Sequence, residues 1–251
     1  MKKKIAFIIE ARTQSRRLPK KILLPLEGRT VLEYLINRLK KLSKQINADI
    51  IVATTINKED QKIVDLAKKN KVKFYQGSEE NVLSRVIKTA KKYKIDIIIR
   101  ITSDCPLVDV EIVEQLFNTF INNEADLVTN AHVRSYPDGM DVEIISTSAL
   151  AYSLKLAKKN REFLEHVTLS MKKYRNKFKI INHISPKQTY YPNMGLTLDE
   201  KKDYELIKKI IFFFKNKKQK TFSCKDIINL MKTNKKLLKI NHKVKRTKYS
   251  V

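Results

Sequence analysis

The sequence predicts an α/β fold in which a mostly parallel central sheet leads into an elaborated second half. Short apolar runs of strand length alternate with longer segments whose apolar residues recur at helical spacing. Strands and helices that alternate in this rhythm form βαβ units, in which the strands run parallel. After about residue 125 the alternation loosens, which predicts an elaboration of the same domain, because no linker or repeat intervenes.

The elements of the first half can be placed from these patterns. Strands are predicted at 5–9, 49–53, 72–75 and 95–101, and helices at 31–39, 58–70, 79–92 and 109–121. Thr30 and Glu33 have the spacing of a capping box at the start of the first helix. Ser78 and Asp109 are expected to cap the third and fourth helices. In the second half, strands are predicted at 126–129, 142–145 and 178–183, and helices at 148–159, 162–175 and 203–216.

The composition narrows the class of protein. Hydrophobic residues make up 42% of the 251 residues, which is enough for a sizeable core. The two cysteines form neither a disulfide framework nor a metal-ligand spacing. No apolar run approaches the length of a membrane span, and the run at 5–9 is too short for a signal peptide. These observations predict a cytoplasmic protein with no membrane partner.

The formal net charge of +27 suggests nucleic acid as a partner. The excess is mostly lysine, however, spread along every helix and interrupted by acids, and the chain has no Trp. Solvated helix faces explain this distribution better, so no nucleic-acid partner is expected, although a positive surface favours encounter with an anionic triphosphate. The basic tail at 235–248 is expected to be a frayed, solvated terminus.

Two loops follow buried strands at the edge where ligands bind in parallel sheets. The loop at 10–21 carries three arginines, two lysines and Ser15, which are the donors that a triphosphate's oxygens require, although it lacks the glycines of a Walker loop. The loop at 102–109 presents Asp104, a carboxylate suited to Mg²⁺. Each loop has a plainer interpretation, a solvated loop for the first and helix capping for the second; we assign capping to Asp109 and metal binding to Asp104.

Three further segments could carry chemistry. Residues 137–143 combine a Pro-Asp-Gly turn with a strand that places Asp141 and Glu143 on one face, and a turn with an edge strand is the plainer interpretation. His166 lies on a predicted helix, where a lone histidine is more often structural than catalytic. Asp199 ends a short apolar strand and could either cap the next helix or bind a metal.

Together these segments resemble the cytidylyltransferase superfamily that includes the 3-deoxy-manno-octulosonate and acylneuraminate cytidylyltransferases, and most closely its spore coat polysaccharide biosynthesis protein F branch. Six motifs occur in the family's order, and the resemblance spans residues 4–212. They are IIEARTQSRRLPKKIL (8–23), GSEENVLSR (77–85), RITSDCPL (100–107), YPDGMDVE (136–143), REFLEHVT (161–168) and LTLD (196–199).

The resemblance implies a Rossmann-like three-layer nucleotidyltransferase fold and an enzyme that uses a nucleoside triphosphate, CTP by preference, to activate a sugar or sugar acid for surface glycan synthesis. Residues 1–125 would form the nucleotide-binding half, 126–220 the acceptor-binding half with a candidate homodimer interface, and 221–251 a basic extension. The implied catalytic residues are Arg12, Lys21 and Asp104. The implied nucleotide-binding residues are Ala11, Arg12, Ser15, Arg17, Lys21, Arg85 and Ser103. Asp104 and Asp199 would hold Mg²⁺, and Asp141, Glu143 and His166 would bind the acceptor.

Two departures from the family pattern bear on these roles. The family's Pro-Gly-Lys in the first loop is replaced by Pro19, Lys20 and Lys21, which removes a glycine and its backbone freedom. An insertion also separates 161–162 from 165–166. Two other function classes stay open, a glycosyltransferase that consumes a nucleotide-sugar and a nucleic-acid-binding protein. The first often carries an Asp-x-Asp after a strand, which is missing at Asp109 because residue 111 is Glu, and the second leaves the carboxylate loops unexplained.

Overall fold

A computed structural model describes residues 3–246. Its centre is a seven-stranded sheet with the strand order β5-β4-β1-β6-β8-β7-β9, beside a two-stranded hairpin of β2 and β3. The strands are β1 (Ile5–Glu10), β2 (Pro25–Leu26), β3 (Arg29–Thr30), β4 (Ala48–Thr55), β5 (Lys73–Gly77), β6 (Ile97–Thr102), β7 (Leu127–Thr129), β8 (Glu143–Ser146) and β9 (Ile180–Asn182). The predicted α/β fold with a mostly parallel sheet is confirmed.

The register of the sheet determines where loops can gather. β1 lies at the centre and pairs in parallel with β4 and β6, so that Glu10 lies opposite both Ala53 and Thr102. The loops that leave β1, β4 and β6 therefore emerge at one edge. β8 then joins β6 antiparallel, with Arg100 opposite Glu143, and β7 and β9 complete the sheet. The elaborated second half of the chain therefore adds β8, β7 and β9 to the sheet, beginning with an antiparallel strand.

Ten helices are described in residues 3–246. They are α1 (Val31–Gln45), α2 (Gln61–Lys69), α3 (Val82–Tyr93), α4 (Val110–Asn123), α5 (Thr147–Ala157), α6 (Arg161–Glu165), α7 (Leu169–Lys173), α8 (Lys201–Asn216), α9 (Cys224–Thr233) and α10 (Lys235–Leu238). The described helices include none that is both long enough and apolar enough to cross a membrane.

The core lies on both faces of the sheet, as the continuous apolar strands require. Phe7 and Ile9 of β1 face a cluster with α1, α4, α8 and α9, whereas Ala6 and Ile8 face a second cluster with α3 and α5. Each fully buried aliphatic or aromatic side chain contributes about 1.5–3 kcal/mol. A central strand held from both sides is a rigid support for the loop that follows it.

Two predicted helix starts are confirmed. The Thr30 hydroxyl accepts from the Glu33 amide, and the Glu33 carboxylate accepts from the Thr30 amide, which completes the capping box of α1. Asp109 caps α4 by accepting from the Glu111 amide at 2.9 Å. Asp109 also accepts from the Cys224 amide at 2.5 Å, so it links the starts of α4 and α9.

Two predicted helices have different bounds. α3 begins at Val82 with Asn81 as its cap, whereas Ser78 accepts from the Asn81 amide and forms the turn before it. The helix predicted at 162–175 is broken between α6 and α7. His166 is extended there, and the buried Thr168 hydroxyl donates to Glu143 at 2.6 Å. A buried hydrogen bond to a carboxylate outweighs the continuation of a short helix.

The prediction of a frayed, solvated tail at 235–248 is wrong for its described part, because Leu237 of α10 and Asn241 are buried. The preceding helix α9, which was not predicted, buries Ile227, Ile228 and Met231 in the core cluster. The lysine excess obscured this apolar stripe in the sequence. Residues 247 and 248 of the predicted tail lie outside the described residues.

The two cysteines are buried in different places. Cys105 follows Asp104 in the loop after β6, and Cys224 begins α9. Burial raises the pKa of both thiols, that of Cys224 to about 12. Both are therefore protonated at neutral pH, and neither is disulfide-bonded.

Candidate functional site

Loops from three parts of the chain converge at the sheet edge where β1 and β6 end. The first loop brings Lys21, the loop after β6 brings Asp104, and the segment before α8 brings Asp199. The Lys21 Nζ lies 2.7 Å from Asp104 Oδ2 and 3.1 Å from Asp199 Oδ1. Arg17 Nη2 lies 2.8 Å from the other Asp199 oxygen. We call these four residues the Lys21 cluster.

The electrostatics of the Lys21 cluster favour charged groups. Burial alone lowers the pKa of Lys21, but the carboxylates of Asp104 and Asp199 reverse this and leave its pKa raised. Burial likewise raises the pKa of Asp104, and the neighbouring Lys21 ammonium more than compensates, so its pKa is lowered. The cluster is thus a set of paired charges at neutral pH, with a cation between two carboxylates.

The first loop is anchored by a residue that sequence reasoning did not identify. Asp60 is buried and accepts from the Thr13 amide at 2.7 Å, the Thr13 hydroxyl at 2.6 Å and the Thr55 hydroxyl at 2.5 Å. The Lys20 amide then donates to the Thr13 carbonyl at 2.9 Å, which closes the loop. No local sequence signal distinguishes Asp60 from the other acids near it.

The lost glycine of the first loop falls where the backbone is left-handed. Lys20 has φ 58° and ψ 22°, a conformation that a glycine adopts without steric cost. Lys21 follows as the first residue of a short 3₁₀ helix, Lys21–Leu23, which directs its side chain to the carboxylates. The loop geometry expected of a glycine is therefore retained by lysine at some cost in stability.

The other predicted nucleotide-binding residues of the first loop and of the loop after β6 contribute to the backbone hydrogen bonds of these loops. Ala11 is buried, and its amide donates to the Ala53 carbonyl at 3.1 Å. The Ser15 hydroxyl accepts from the Leu18 amide at 3.5 Å. The Ser103 amide donates to the Glu10 carbonyl at 3.0 Å, which ties the ends of β1 and β6 together. These contacts fix the backbone from which Arg12, Lys21 and Asp104 project.

Arg12 and Arg85 meet at a second loop, which follows β5. The exposed Arg12 has its Nη1 3.7 Å from the Glu79 carboxylate. Arg85 is buried and donates to the Ser78 carbonyl at 2.5 Å, whereas its Nε has no hydrogen-bond partner among residues 3–246. Burial lowers the pKa of Arg85. The unused donor and the exposed arginine leave hydrogen-bonding capacity on this side of the site.

Asp141, which is predicted to bind the acceptor, pairs with an arginine that sequence reasoning missed. Arg134 binds both oxygens of Asp141 at 2.9 Å, and its Nη1 lies 3.3 Å from Asp138. Burial raises the pKa of Asp141 above its usual value even though Arg134 opposes this shift. The pair is joined to the Lys21 cluster by Arg246, which lies 3.7 Å from Asp138 and 4.0 Å from Asp199.

Glu143 belongs to a second charged network, distinct from the Lys21 cluster. Glu143 is buried and binds Arg100 at 2.6 Å and Lys172 at 2.9 Å, and Arg100 also binds Glu10. These four residues, Glu10, Arg100, Glu143 and Lys172, are called the Arg100 cluster. Its cations lower the pKa of Glu143 to about 2 although burial opposes them.

The carboxylate of Glu143 is thus occupied within the chain, and its contact with an acceptor stays a prediction. His166 lies where α6 ends, and its amide donates to the Glu162 carbonyl at 2.9 Å. Burial lowers the pKa of His166, which keeps its imidazole neutral at neutral pH. A neutral imidazole can accept a proton, so its predicted role also stays open to test.

The arrangement fits a divalent cation that is shared with a bound anion. Within residues 3–246 no three His, Cys, Asp or Glu side chains are grouped so that they could hold a metal by themselves. Asp104 and Asp199, however, point at one cationic atom from two sides. Mg²⁺ commonly takes one or two carboxylates and completes its coordination with phosphate oxygens and water. Two converging carboxylates beside Lys21 and Arg17 match that requirement.

Comparison with known proteins identifies the family. The family model described as cytidylyltransferase matches residues 6–236. The spore coat polysaccharide biosynthesis protein SpsF of Bacillus subtilis is 30% identical over 232 residues, which cover 92% of this chain and 95% of SpsF.

Two solved structures resemble the whole fold. A cytidylyltransferase from Leptospira borgpetersenii has a TM-score of 0.86 at 31% identity and covers 99% of this chain and 100% of its own. The CMP:2-keto-3-deoxy-manno-octonic acid synthetase in complex with CTP has a TM-score of 0.63 at 17% identity, over 84% of this chain and 99% of its own. The second likeness concerns the fold alone.

Proposed function

Because the chain belongs to the cytidylyltransferase family, we propose that it transfers the cytidylyl group of CTP to a sugar or sugar-acid acceptor and releases pyrophosphate. The observation that carries the proposal is the Lys21 cluster, in which two cations and two carboxylates meet at the carboxyl ends of β1 and β6. Such a set offers donors for phosphate oxygens and ligands for a divalent ion at one place.

The reaction makes one bond and breaks one. An acceptor oxygen attacks the α-phosphorus of CTP, and the bond from that phosphorus to the oxygen bridging the α- and β-phosphates breaks, so that pyrophosphate leaves with the bonding electron pair. Little covalent chemistry is required of the protein, and positioning and charge stabilisation supply most of the catalysis. We assign this work to Arg12, Lys21 and Asp104.

The cations would act on the triphosphate. Lys21 is a charged ammonium held at the start of a 3₁₀ helix, and Arg17 lies beside it with 40% of its side chain exposed. Arg12 faces the same edge from the loop after β1. In the proposal these side chains neutralise the charge that gathers on the departing pyrophosphate, and Ser15 and the Nε of Arg85 supply further donors.

Mg²⁺ is the proposed cofactor, held by Asp104 and Asp199. When bound, it would polarise the phosphate oxygens and neutralise part of their charge. The ammonium of Lys21 pairs with the same two carboxylates. Lys21 would therefore exchange its carboxylate partners for phosphate oxygens when the nucleotide enters.

The acceptor is proposed to lie between the sheet and the second half, near Asp141, Glu143 and His166. If a hydroxyl attacks, its proton needs a base, and His166 with its lowered pKa is suited to that task. If a phosphate attacks, a cation should face it, and Arg134 and Arg246 lie on this side. The SpsF relative, whose name assigns it to spore coat polysaccharide biosynthesis, supports a surface glycan as the destination of the product.

The first experiment compares thermal stabilisation by each of the four nucleoside triphosphates with and without Mg²⁺. We expect stabilisation with CTP and Mg²⁺, corresponding to about 2.7 kcal/mol when the ligand is at 100 times its dissociation constant. Candidate sugar acids and sugar phosphates are then screened by release of pyrophosphate from CTP.

The outcomes separate the alternatives. Equal stabilisation by another triphosphate would preserve nucleotidyl transfer but remove the preference for CTP. If no triphosphate stabilises the protein and a nucleotide-sugar does, the proposal fails in favour of a glycosyltransferase.

A further inference from the structure

We propose that the C-terminal segment at residues 241–246 is a working part of the nucleotide site, and that Arg246 is a positioning residue for Asp199. The match to the cytidylyltransferase family ends at residue 236, so this segment lies beyond the part that defines the family. It nevertheless returns to the sheet edge and contacts residues on both sides of Asp199. This inference rests on the proposed function only where it concerns nucleotide binding.

The buried carboxylate of Asp203 connects Arg246 to the backbone of Asp199 through a relay of hydrogen bonds. Asp203 has no exposed surface, and its Oδ2 accepts from the backbone amides of Asp199 at 3.0 Å and Glu200 at 2.9 Å. Its Oδ1 binds Arg246 at 2.6 Å and Asn241 at 2.8 Å. The two residues of the C-terminal segment therefore hold the carboxylate that fixes the backbone of Asp199.

A second contact acts on the side chain of Asp199. Arg17 donates to the Lys245 carbonyl at 3.0 Å through Nη1 and reaches Asp199 through Nη2 at 2.8 Å. The C-terminal segment thus orients a cation of the Lys21 cluster as well as the backbone beneath it. Asn241 also donates to the Gly195 carbonyl at 2.9 Å, four residues before Asp199.

The site is shaped to receive the guanidinium of Arg246. A Cβ atom on Gly195 would lie 2.0 Å from the Arg246 side chain, so the side chain occupies the space that a larger residue would take. Gly195 forms a bridge with Asp138, whose carboxylate is 3.7 Å from Arg246. Only 17% of the Arg246 side chain is exposed. These contacts describe a fitted position and not a surface side chain that lies over the site by chance.

Removal of Arg246 should loosen Asp199. A fully buried carboxylate that loses its cationic partner is destabilised and is expected to shift towards water, which weakens its hold on the two amides. Asp199 would then bind a divalent ion and its nucleotide less well. The effect should appear in nucleotide affinity more than in the chemical step, because Arg246 acts through Asp203 and not on the reacting atoms.

The test measures two quantities in Arg246→Ala, Arg246→Lys and Gly195→Ala. Amide hydrogen exchange at Asp199 and Glu200 in the protein without ligand needs no assumption about the substrate. We expect about tenfold faster exchange in Arg246→Ala, the size of one lost charge-assisted hydrogen bond, and an intermediate value in Arg246→Lys. For CTP with Mg²⁺, we expect KM to rise about tenfold while kcat changes less than about threefold.

Gly195→Ala is an independent test, because its added methyl group displaces the Arg246 guanidinium without removing the positive charge. We expect the same two changes, and the double variant Gly195→Ala/Arg246→Ala should differ less than about twofold from either single variant. Lys243→Ala is the matched control: it removes one positive charge from the same exposed segment and should leave exchange at Asp199 and Glu200 unchanged.

Several results would overturn the inference. Unchanged exchange at Asp199 and Glu200 in Arg246→Ala would remove the relay. Additive effects of the two substitutions would separate Gly195 from Arg246. A higher kcat/KM in Arg246→Ala would mean that the segment obstructs the site. If the wild-type protein does not use CTP at all, the proposed function fails, whereas the exchange measurement still tests the relay.

Discussion

The Lys21 cluster and the Arg100 cluster are built from the same types of residue, yet they are arranged for different tasks. Arg100 lies on β6 opposite Glu143 of β8 and also binds Glu10 of β1, so it joins three neighbouring strands where the sheet changes from parallel to antiparallel. Its partner Glu143 is 5% exposed. The Lys21 cluster joins three loops, and the exposed fraction of its side chains reaches 40% at Arg17.

This difference shows which charges can change partners. In the Arg100 cluster Glu10, Arg100 and Glu143 project from paired strands, and Glu143 also accepts a hydrogen bond from Thr168. In the Lys21 cluster one ammonium serves two carboxylates that come from separate loops. A phosphate can therefore take the cation and a metal ion can take the carboxylates without the sheet being disturbed. Charge alone does not distinguish the clusters, whereas the supporting backbone does.

Arg100→Met is expected to have the largest effect, which is a loss of stability against unfolding. The substitution leaves Glu10 and Glu143 without their shared cation, and removing one partner of a buried ion pair costs about 3–5 kcal/mol. Urea denaturation measures the change in the free energy of unfolding. Arg134→Met is the matched control, because Arg134 also binds a carboxylate but is 35% exposed, and it should cost about 1 kcal/mol or less. Equal losses of unfolding free energy in the two variants would show that the Arg100 cluster does not have a special role in stabilising the sheet.

Substitutions in the Lys21 cluster should have the next largest effect, which is on the free energy of the catalytic transition state and not on that of unfolding. Lys21→Ala and Asp104→Asn should each lower kcat at least about 100-fold, the scale of losing one preorganised charge contact. Pyrophosphate release measures the rate, and circular dichroism verifies the fold. Lys20→Ala is the control for Lys21→Ala, because the neighbouring ammonium makes none of the ion pairs that Lys21 makes. Near-normal rates in both active-site variants would contradict the assignment of the site.

Lys20→Gly is expected to have the smallest effect, which is a slight gain in stability. The left-handed backbone of Lys20 costs a non-glycine residue about 1–2 kcal/mol, and the greater freedom of glycine in the unfolded chain offsets part of that gain. The free energy of unfolding should rise by up to about 1 kcal/mol, measured by urea denaturation. The substitution also tests whether the first loop works better with a glycine at this position. Lys71→Gly is a control at another left-handed lysine, far along the chain from the Lys21 cluster, and should stabilise by a similar amount.

Much of the fold could be predicted because it depends on local patterns. The apolar runs gave β1, β4, β5 and β6, and the capping box of α1 was visible as Thr30 and Glu33 three residues apart. The break between α6 and α7 could not be predicted, because it depends on Thr168 reaching Glu143, 25 residues away in the chain. The packing of α9 was concealed by its lysines, which cover the exposed face of an amphipathic helix.

The candidate site divides in the same way. Lys21, Asp104 and Asp199 were identified from motifs, and the structure brings both carboxylates within hydrogen-bonding distance of the Lys21 ammonium. Asp60, Asp203 and Arg246 were missed, because each acts through partners at least 40 residues away or through the backbone of another residue. Arg134 had a weaker signal, since it precedes the acidic turn at 137–143 by a few residues.

The burial of both cysteines gives this protein a built-in reporter. Cys105 follows a proposed metal ligand and Cys224 begins a helix of the C-terminal layer, and both thiols are protonated as well as covered. An alkylating reagent needs an accessible thiolate, so it reacts only during moments when one of these regions opens. The rate of alkylation at Cys105 therefore measures how often the loop after β6 opens, and the rate at Cys224 measures how often the start of α9 separates from the core. No foreign label is needed, and the two events can be followed independently in one molecule.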